Sequence, residues 1–262
     1  IEVGSEEGFP DPQLANQPVT AITVSIDGAY YTFGCQDYTV KSDNVTYLQC
    51  KDERELLLNF LKHWRMWDAD IITGWNVQGF DVPYLYNRMT KLLGDQVSKK
   101  LSPVGLINER EYEKFNRKQI DVEFVGITVL DYLDLYRKFT YSQQESYRLD
   151  HIANVELGEK KLDYSEVETL HQLYKLDYEK FIDYNIKDVE LIDKIEDKMK
   201  LIEMALAIAY DAKVNYSDVF TQVRMWDVLI HNWLAERKIA IPPKERKDKL
   251  SQFAGAYVKN PK

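Results

Sequence analysis

Two cysteines in 262 residues, Cys35 and Cys50, are too few for a disulfide framework, and their spacing is not that of a zinc site. They read as reduced thiols of a cytosolic protein. The four histidines (His63, His151, His171 and His231) are scattered, so an imidazole-built metal centre is not expected. No apolar run approaches the roughly 18 residues of a membrane-spanning helix, and no signal-peptide pattern is present. Basic residues are also scarce relative to acidic ones, giving a formal net charge of −9. That excludes a passive nucleic-acid coat, which needs a basic surface. It leaves room for an enzyme that holds nucleic acid through metal ions in an acidic pocket. Repeats and low-complexity tracts are missing as well.

What is present suits one large α/β domain with additions, and a 45% hydrophobic content supports a sizeable core. "AITVSIDGAYYTF" alternates apolar and polar residues around Asp27-Gly28 and predicts a β-hairpin. "TYLQC" predicts a further strand. In residues 53–67, Leu57, Phe60, Leu61 and Trp64 recur at helical spacing. "DADIIT" reads as a buried strand, and a helix follows to about Leu93. Residues 104–125 are charged and predict a solvated hairpin, after which "GITVLDYLDLYRKF" returns to the core. From about Asp177 the series Ile182, Ile186, Val189, Ile192, Ile195, Met199 and Ile202 predicts one long helix. "IPPKERKDK" (241–249) reads as a linker. The order predicts a mixed sheet with helices on its faces.

Three acids stand out, each with a plainer explanation when taken alone. Asp81, in "GWNVQGFDVPYLYNR", sits where a strand hands over to a helix, and Asp followed by Pro83 is also a good helix start. Tyr184 and Asp188 are four apart and share a helix face, off the line of Ile182, Ile186 and Val189; a solvated helix face explains them equally well. Glu2 faces opposite to Ile1 and Val3, as at a strand end or as a stray surface acid. Together they match the needs of two-metal hydrolysis. Two Mg²⁺ ions roughly 4 Å apart require carboxylates from several rigid elements, and hard cations require oxygen ligands.

"IEV", "GWNVQGFDVPYLYNR" and "YNIKDVE" resemble, in order, the three exonuclease motifs of family B DNA polymerases of the T-even-type phage kind. "LDYLDLYRKF", "AYDAKVNYSDVFTQVRMWDVLIHNWL" and "FAGAYVKNPK" extend the resemblance over nearly the whole chain. It implies an RNase H-like α/β exonuclease domain over about residues 1–200, a helical segment of the polymerase N-terminal domain over 201–243, and the start of the palm over 244–262. It implies that Glu2, Asp81 and Asp188 bind two Mg²⁺ ions, for which Mn²⁺ can substitute. Tyr184 would orient the attacking water, and Lys161 would lie near the scissile phosphate. Phe9 would pack on a terminal base, Asn76 would contact the DNA strand, and the 104–125 hairpin would help move the primer end.

The family's first motif reads Asp-Ile-Glu, whereas this chain begins at Ile1. The expectation is therefore a site short of one carboxylate, with the α-amino group of Ile1 beside the missing acid's position and exonuclease activity impaired. The implied reaction is 3′→5′ removal of nucleotides from single-stranded DNA. The implied partners are the primer 3′ end, the rest of the polymerase chain, a sliding clamp and other replisome proteins, with no membrane, in the cytoplasm of an infected bacterial cell. A catalytically dead module that binds single-stranded DNA is the competing reading, and a stand-alone ribonuclease is a weaker one.

Overall fold

A computed structural model describes residues 1–4, 8, 10–114, 117–159 and 170–242. The chain opens with β1 (Glu2–Val3), β2 (Val19–Ile26), β3 (Ala29–Gly34) and β4 (Val45–Gln49), which form one sheet in that order. β1, β2 and β3 are antiparallel neighbours, while β4 runs parallel to β3. The predicted hairpin is β2–β3. Its two-residue turn places Asp27 at φ 51° and Gly28 at φ 79°. Asp-Gly tolerates that double left-handed geometry, which matches the twist of the flanking strands.

Helix α1 (Glu53–Trp67) begins where the Asp52 carboxylate accepts the Glu55 N–H, and it buries Leu56, Leu57, Phe60 and Leu61. Strand β5 (Ile71–Gly74) leads through a tight loop into α2 (Asp81–Leu93), which the short α3 (Asp95–Ser98) follows. β6 (Ile107–Lys114) and β7 (Arg117–Phe124) make the expected hairpin, in register from Ile107↔Phe124 to Lys114↔Arg117. Its base is not solvated, because Val122 and Phe124 are buried in the core. β8 (Thr128–Asp131) pairs in parallel with β5, from Ile71↔Thr128 to Gly74↔Asp131. The predicted mixed sheet is therefore present, among the described residues, as three separate sheets, one of four strands and two of two.

The remainder is helical: α4 (Tyr132–Phe139), α5 (Leu149–Leu157), α6 (Leu170–Leu176), α7 (Tyr178–Met199), α8 (Leu201–Ala212) and α9 (Gln222–Glu236). The single long helix predicted from Asp177 to Ile202 is divided. Lys200, at φ 55° and ψ 38°, ends α7 in a left-handed turn, and Ile202 lies on α8. A one-residue turn barely shifts the apolar spacing, so the periodic pattern runs across it unbroken.

Packing is organised in three clusters. The first joins the four-stranded sheet, α1, α2 and the hairpin base around Phe33, Phe60, Tyr84 and Phe124. A second joins β8, α4, α5, the end of α7 and α8 around Tyr132, Tyr136, Leu191, Ile195 and Ala205. The smallest seats Tyr178, Phe181 and Ile182 of α7 against Ala21 of β2. Residues 201–212 thus share a core with 130–195, and the turn at Lys200 is not a gap in packing. The linker expected over 241–249 and the palm segment over 244–262 lie almost wholly outside the described residues.

Candidate metal centre

Three elements bring the acids together. Glu2 lies on β1, opposite Ala21 of β2. Asp188 lies on α7, a turn beyond Tyr184, which is 6% exposed. Asp81 is the first residue of α2 and not its cap; the cap position is Phe80, and no side chain caps the helix there. The predicted helix start is present, with Asp81 and Pro83 in the first turn, but the Asp81 carboxylate does not cap the helix and instead contacts the Ile1 amine.

The α-ammonium of Ile1 donates to Asp81 Oδ1 at 2.6 Å. Burial alone would lower the amine's pKa. The charge of Asp81, then of Glu2, the hydrogen bond to Asp81 and the charge of Asp188 outweigh burial and hold it above its usual 8.0. A single buried cation thus draws on all three carboxylates. The donors around it are carboxylates alone, with no thiolate or imidazole, which suits a hard cation. Among the described residues, no three His, Cys, Asp or Glu side chains close to the spacing of a formed metal shell.

Two neighbouring residues escaped the sequence reading. Asn185 is 3% exposed. Its Oδ1 accepts the Thr23 hydroxyl at 2.6 Å, so its Nδ2 faces Glu2 Oε1 at 3.5 Å. Thr23 in turn bonds Thr32 at 2.9 Å. A polar residue on the inward side of α7, between Tyr184 and Ile186, is the signal that could have found it.

The other is Asp131, 4% exposed at the end of β8. Its Oδ1 accepts the N–H groups of Asn76 and Leu133, both at 3.0 Å, and its Oδ2 accepts that of Gln78 at 2.9 Å. Burial pushes its carboxyl up to about 6, against the pull of those three donors and with the charge of Asp134 adding to the rise.

Asn76 is exposed and sits at φ 61°. Its carbonyl accepts from Gly79 and Phe80, so in the structure it shapes the loop before Asp81. A Cβ on Gly79 would come within 2.6 Å of the Asn76 side-chain oxygen, the free end of an exposed side chain that can turn aside. Phe9 and Lys161 lie outside the described residues.

A family model described as "DNA polymerase family B, exonuclease domain" matches residues 1–152. The DNA-directed DNA polymerase of Escherichia phage RB69 is 34% identical over an alignment covering 100% of this chain and 32% of that protein. The DNA-directed DNA polymerase of Enterobacteria phage T4 is 32% identical, again over 100% of this chain and 32% of its own length. A DNA polymerase catalytic subunit from Psittacid herpesvirus 1 is 28% identical over 82% of this chain and 20% of its length. The chain spans about a third of the length of the phage proteins it matches.

Proposed function

Because this chain belongs to the exonuclease domain family of the family B DNA polymerases, we propose that it removes nucleotides from the 3′ end of single-stranded DNA, as the proofreading part of a phage-type replicative polymerase. The mixed α/β architecture agrees with an RNase H-like exonuclease domain. The observation that carries the proposal is the match of the exonuclease-domain family model to residues 1–152, which include Glu2 and Asp81.

In this reading the three carboxylates hold two divalent cations, Mg²⁺ by preference and Mn²⁺ as substitute. Bound cations supply a hydroxide-like water near neutral pH and offset charge on the phosphate. Tyr184, buried one turn before Asp188, orients the attacking water with its phenol. Asp188 and Asp81 set the direction of approach because each is fixed to the end or side of a helix. Phe9 stacks the terminal base, Asn76 touches the strand, and Lys161 offsets phosphate charge. Frayed ends enter most easily, since an unpaired nucleotide costs less to extrude than a paired one.

The same proposal assigns residues 201–243 to the polymerase N-terminal domain and 244–262 to the start of the palm. The exposed apolar residues Val223, Trp226, Ile230 and Trp233 of α9 support a further polypeptide packing there. A sliding clamp would act through the longer protein, in the cytoplasm of the infected cell. No helix among the described residues is long and apolar enough to cross a membrane.

Digestion of a 3′-end-labelled oligonucleotide at saturating Mg²⁺ tests the reading. Release of nucleoside monophosphate from single strands by the chain carrying an Asp ahead of Ile1, lost in Asp188→Ala, is the expected result. Binding of single-stranded DNA with no metal-dependent cleavage in any version of the protein would establish the non-enzymatic module instead.

A further inference from the structure

We infer that Asp131 is a positioning residue for this centre: its buried carboxylate holds the 75–80 loop in the shape that delivers Asp81 to the other two acids. The inference rests on reading Glu2, Asp81 and Asp188 as metal ligands. It adds a residue that acts through the backbone.

Asp131 ends β8 opposite Gly74, which ends β5. Two parallel strands therefore stop side by side, and each must turn into a helix, β5 into α2 and β8 into α4. One carboxylate serves both turns. The bond to the Leu133 N–H caps α4. The bonds to Asn76 and Gln78 reach back 55 and 53 residues, to the loop that precedes Asp81.

That loop is closed on itself. The Asn76 carbonyl accepts from Gly79 at 3.1 Å and Phe80 at 3.0 Å, and the Val77 carbonyl accepts from Val82 at 2.9 Å. The last of these bonds ends in the first turn of α2, directly after Asp81. Nothing in the coil can rotate without moving that turn. Asn76 is moreover in the left-handed region, where a non-glycine residue persists only if its surroundings hold it.

Capping alone does not explain the residue. A serine or threonine would cap α4 and bring no charge into the interior. Asp131 is 4% exposed, and burial lifts its carboxyl to about 6, so the charged form is retained at a cost. What a carboxylate provides, and a hydroxyl does not, is reach to three N–H groups from two directions at once.

Four forms of the chain, each with an Asp placed ahead of Ile1, separate these roles: otherwise unsubstituted, Asp131→Ser, Asp131→Asn and Asp81→Ala. The serine keeps the α4 cap and releases the loop. The asparagine keeps the shape and turns an N–H toward one of the three donors. Mn²⁺ affinity is measured by the loss of free-ion electron paramagnetic resonance signal, with thermal unfolding alongside. Asp81→Ala should remove tight binding. Asp131→Ser and Asp131→Asn should still unfold cooperatively yet bind Mn²⁺ about tenfold more weakly, as loss of an outer-shell partner does.

Folded Asp131 variants that bind within twofold of the unsubstituted chain, while Asp81→Ala does not bind, would reduce Asp131 to a cap and leave the metal reading standing. No effect of Asp81→Ala, or no Mn²⁺ binding by the unsubstituted chain, sinks the metal reading and this inference with it. If neither Asp131 variant folds, hydrogen exchange on the unsubstituted chain decides. Mg²⁺ should slow exchange in peptides spanning 75–80, and unchanged exchange there overturns the inference.

Discussion

At the scale of single residues, function and stability pull apart. On the proposed reading Asp188 supplies a metal ligand and Tyr184 only a phenol, so their removal should differ in kind. With Mg²⁺ saturating, Tyr184→Phe is expected to slow cleavage by roughly 10–100-fold, the range of an outer-shell loss. Asp188→Ala should cost more than that; equal effects in single-turnover assays would overturn the assignment.

Asp131 yields a second expectation at this scale. Its carboxyl is raised from 3.8 to about 6 by burial, so the native chain binds a proton there more tightly than the unfolded chain. Between those values, stability contributed by this group rises as pH falls and declines as pH climbs through about 6. The full span is on the order of 3 kcal/mol, at 1.36 kcal/mol per pH unit. Denaturant unfolding of the unsubstituted chain and Asp131→Asn should show their difference shifting by that order across the window; parallel curves would contradict it.

Asp81, Tyr184 and Asp188 were legible in the sequence because spacing alone puts them at a junction or on one helix face. Asn185 and Asp131 were not. Each looks like an ordinary polar residue in an apolar stretch until its partners, at Thr23 and in the 75–80 loop, come from distant parts of the chain.

At the scale of elements, the sequence was most informative where the pattern was local. The β2–β3 hairpin, α1 and α2 follow from alternation, helical spacing and Asp27-Gly28. The split of α7 from α8 was hidden, because a left-handed lysine costs one residue and leaves no proline or glycine mark. The separation of the strands into three sheets is also a long-range outcome that no window of sequence contains.

Two contacts between elements carry testable weight. The Arg88 guanidinium binds Glu53 through two nitrogens at 2.8 and 2.7 Å and the carbonyls of Ala15 and Asn16, tying α2 to α1 and to the segment before β2. Arg88→Ala leaves Glu53 without its countercharge in a partly buried site and should destabilise by about 3–5 kcal/mol in urea titrations. A loss under about 1 kcal/mol would mean that water replaces the arginine. Gly34, at the end of β3, touches the Tyr178 and Tyr47 hydroxyls, where a Cβ has no room. Gly34→Ala should cost roughly 1–3 kcal/mol as overpacking, by prising the start of α7 off the sheet.

Over the whole molecule, α9 is the outlier. It buries none of its residues, and Val223, Trp226, Ile230 and Trp233 lie three or four apart along it, all exposed. Such a stripe belongs against another surface. Replacing Trp226 and Ile230 together with lysine should leave thermal stability within about 0.5 kcal/mol, the usual range for surface changes. It should also reduce self-association in sedimentation experiments; a large stability loss would show that the helix is packed in solution. Helicity was legible in that segment, whereas its lack of a partner was not, because an apolar stripe reads the same whether covered or bare.

Helix α7 runs through two of the packed clusters, with Phe181 and Ile182 in one and Leu191 and Ile195 in the other. Ile1 and Val3 pack against the remaining one, which also holds α2. Glu2 and Asp81 are thus rooted in one part of the interior, and Asp188 in the helix that joins the other two. On the proposed reading, an ion held by all three would add a clasp to the hydrogen bonds that already join α7 to the sheet, Thr23 to Asn185 and Ser25 to Asp193. Its binding energy is then stability of the entire chain. At a hundredfold excess over Kd it adds about 2.7 kcal/mol against unfolding. Melting followed at the tyrosines, at the backbone and by hydrogen exchange should therefore move upward together when Mg²⁺ or Mn²⁺ is added.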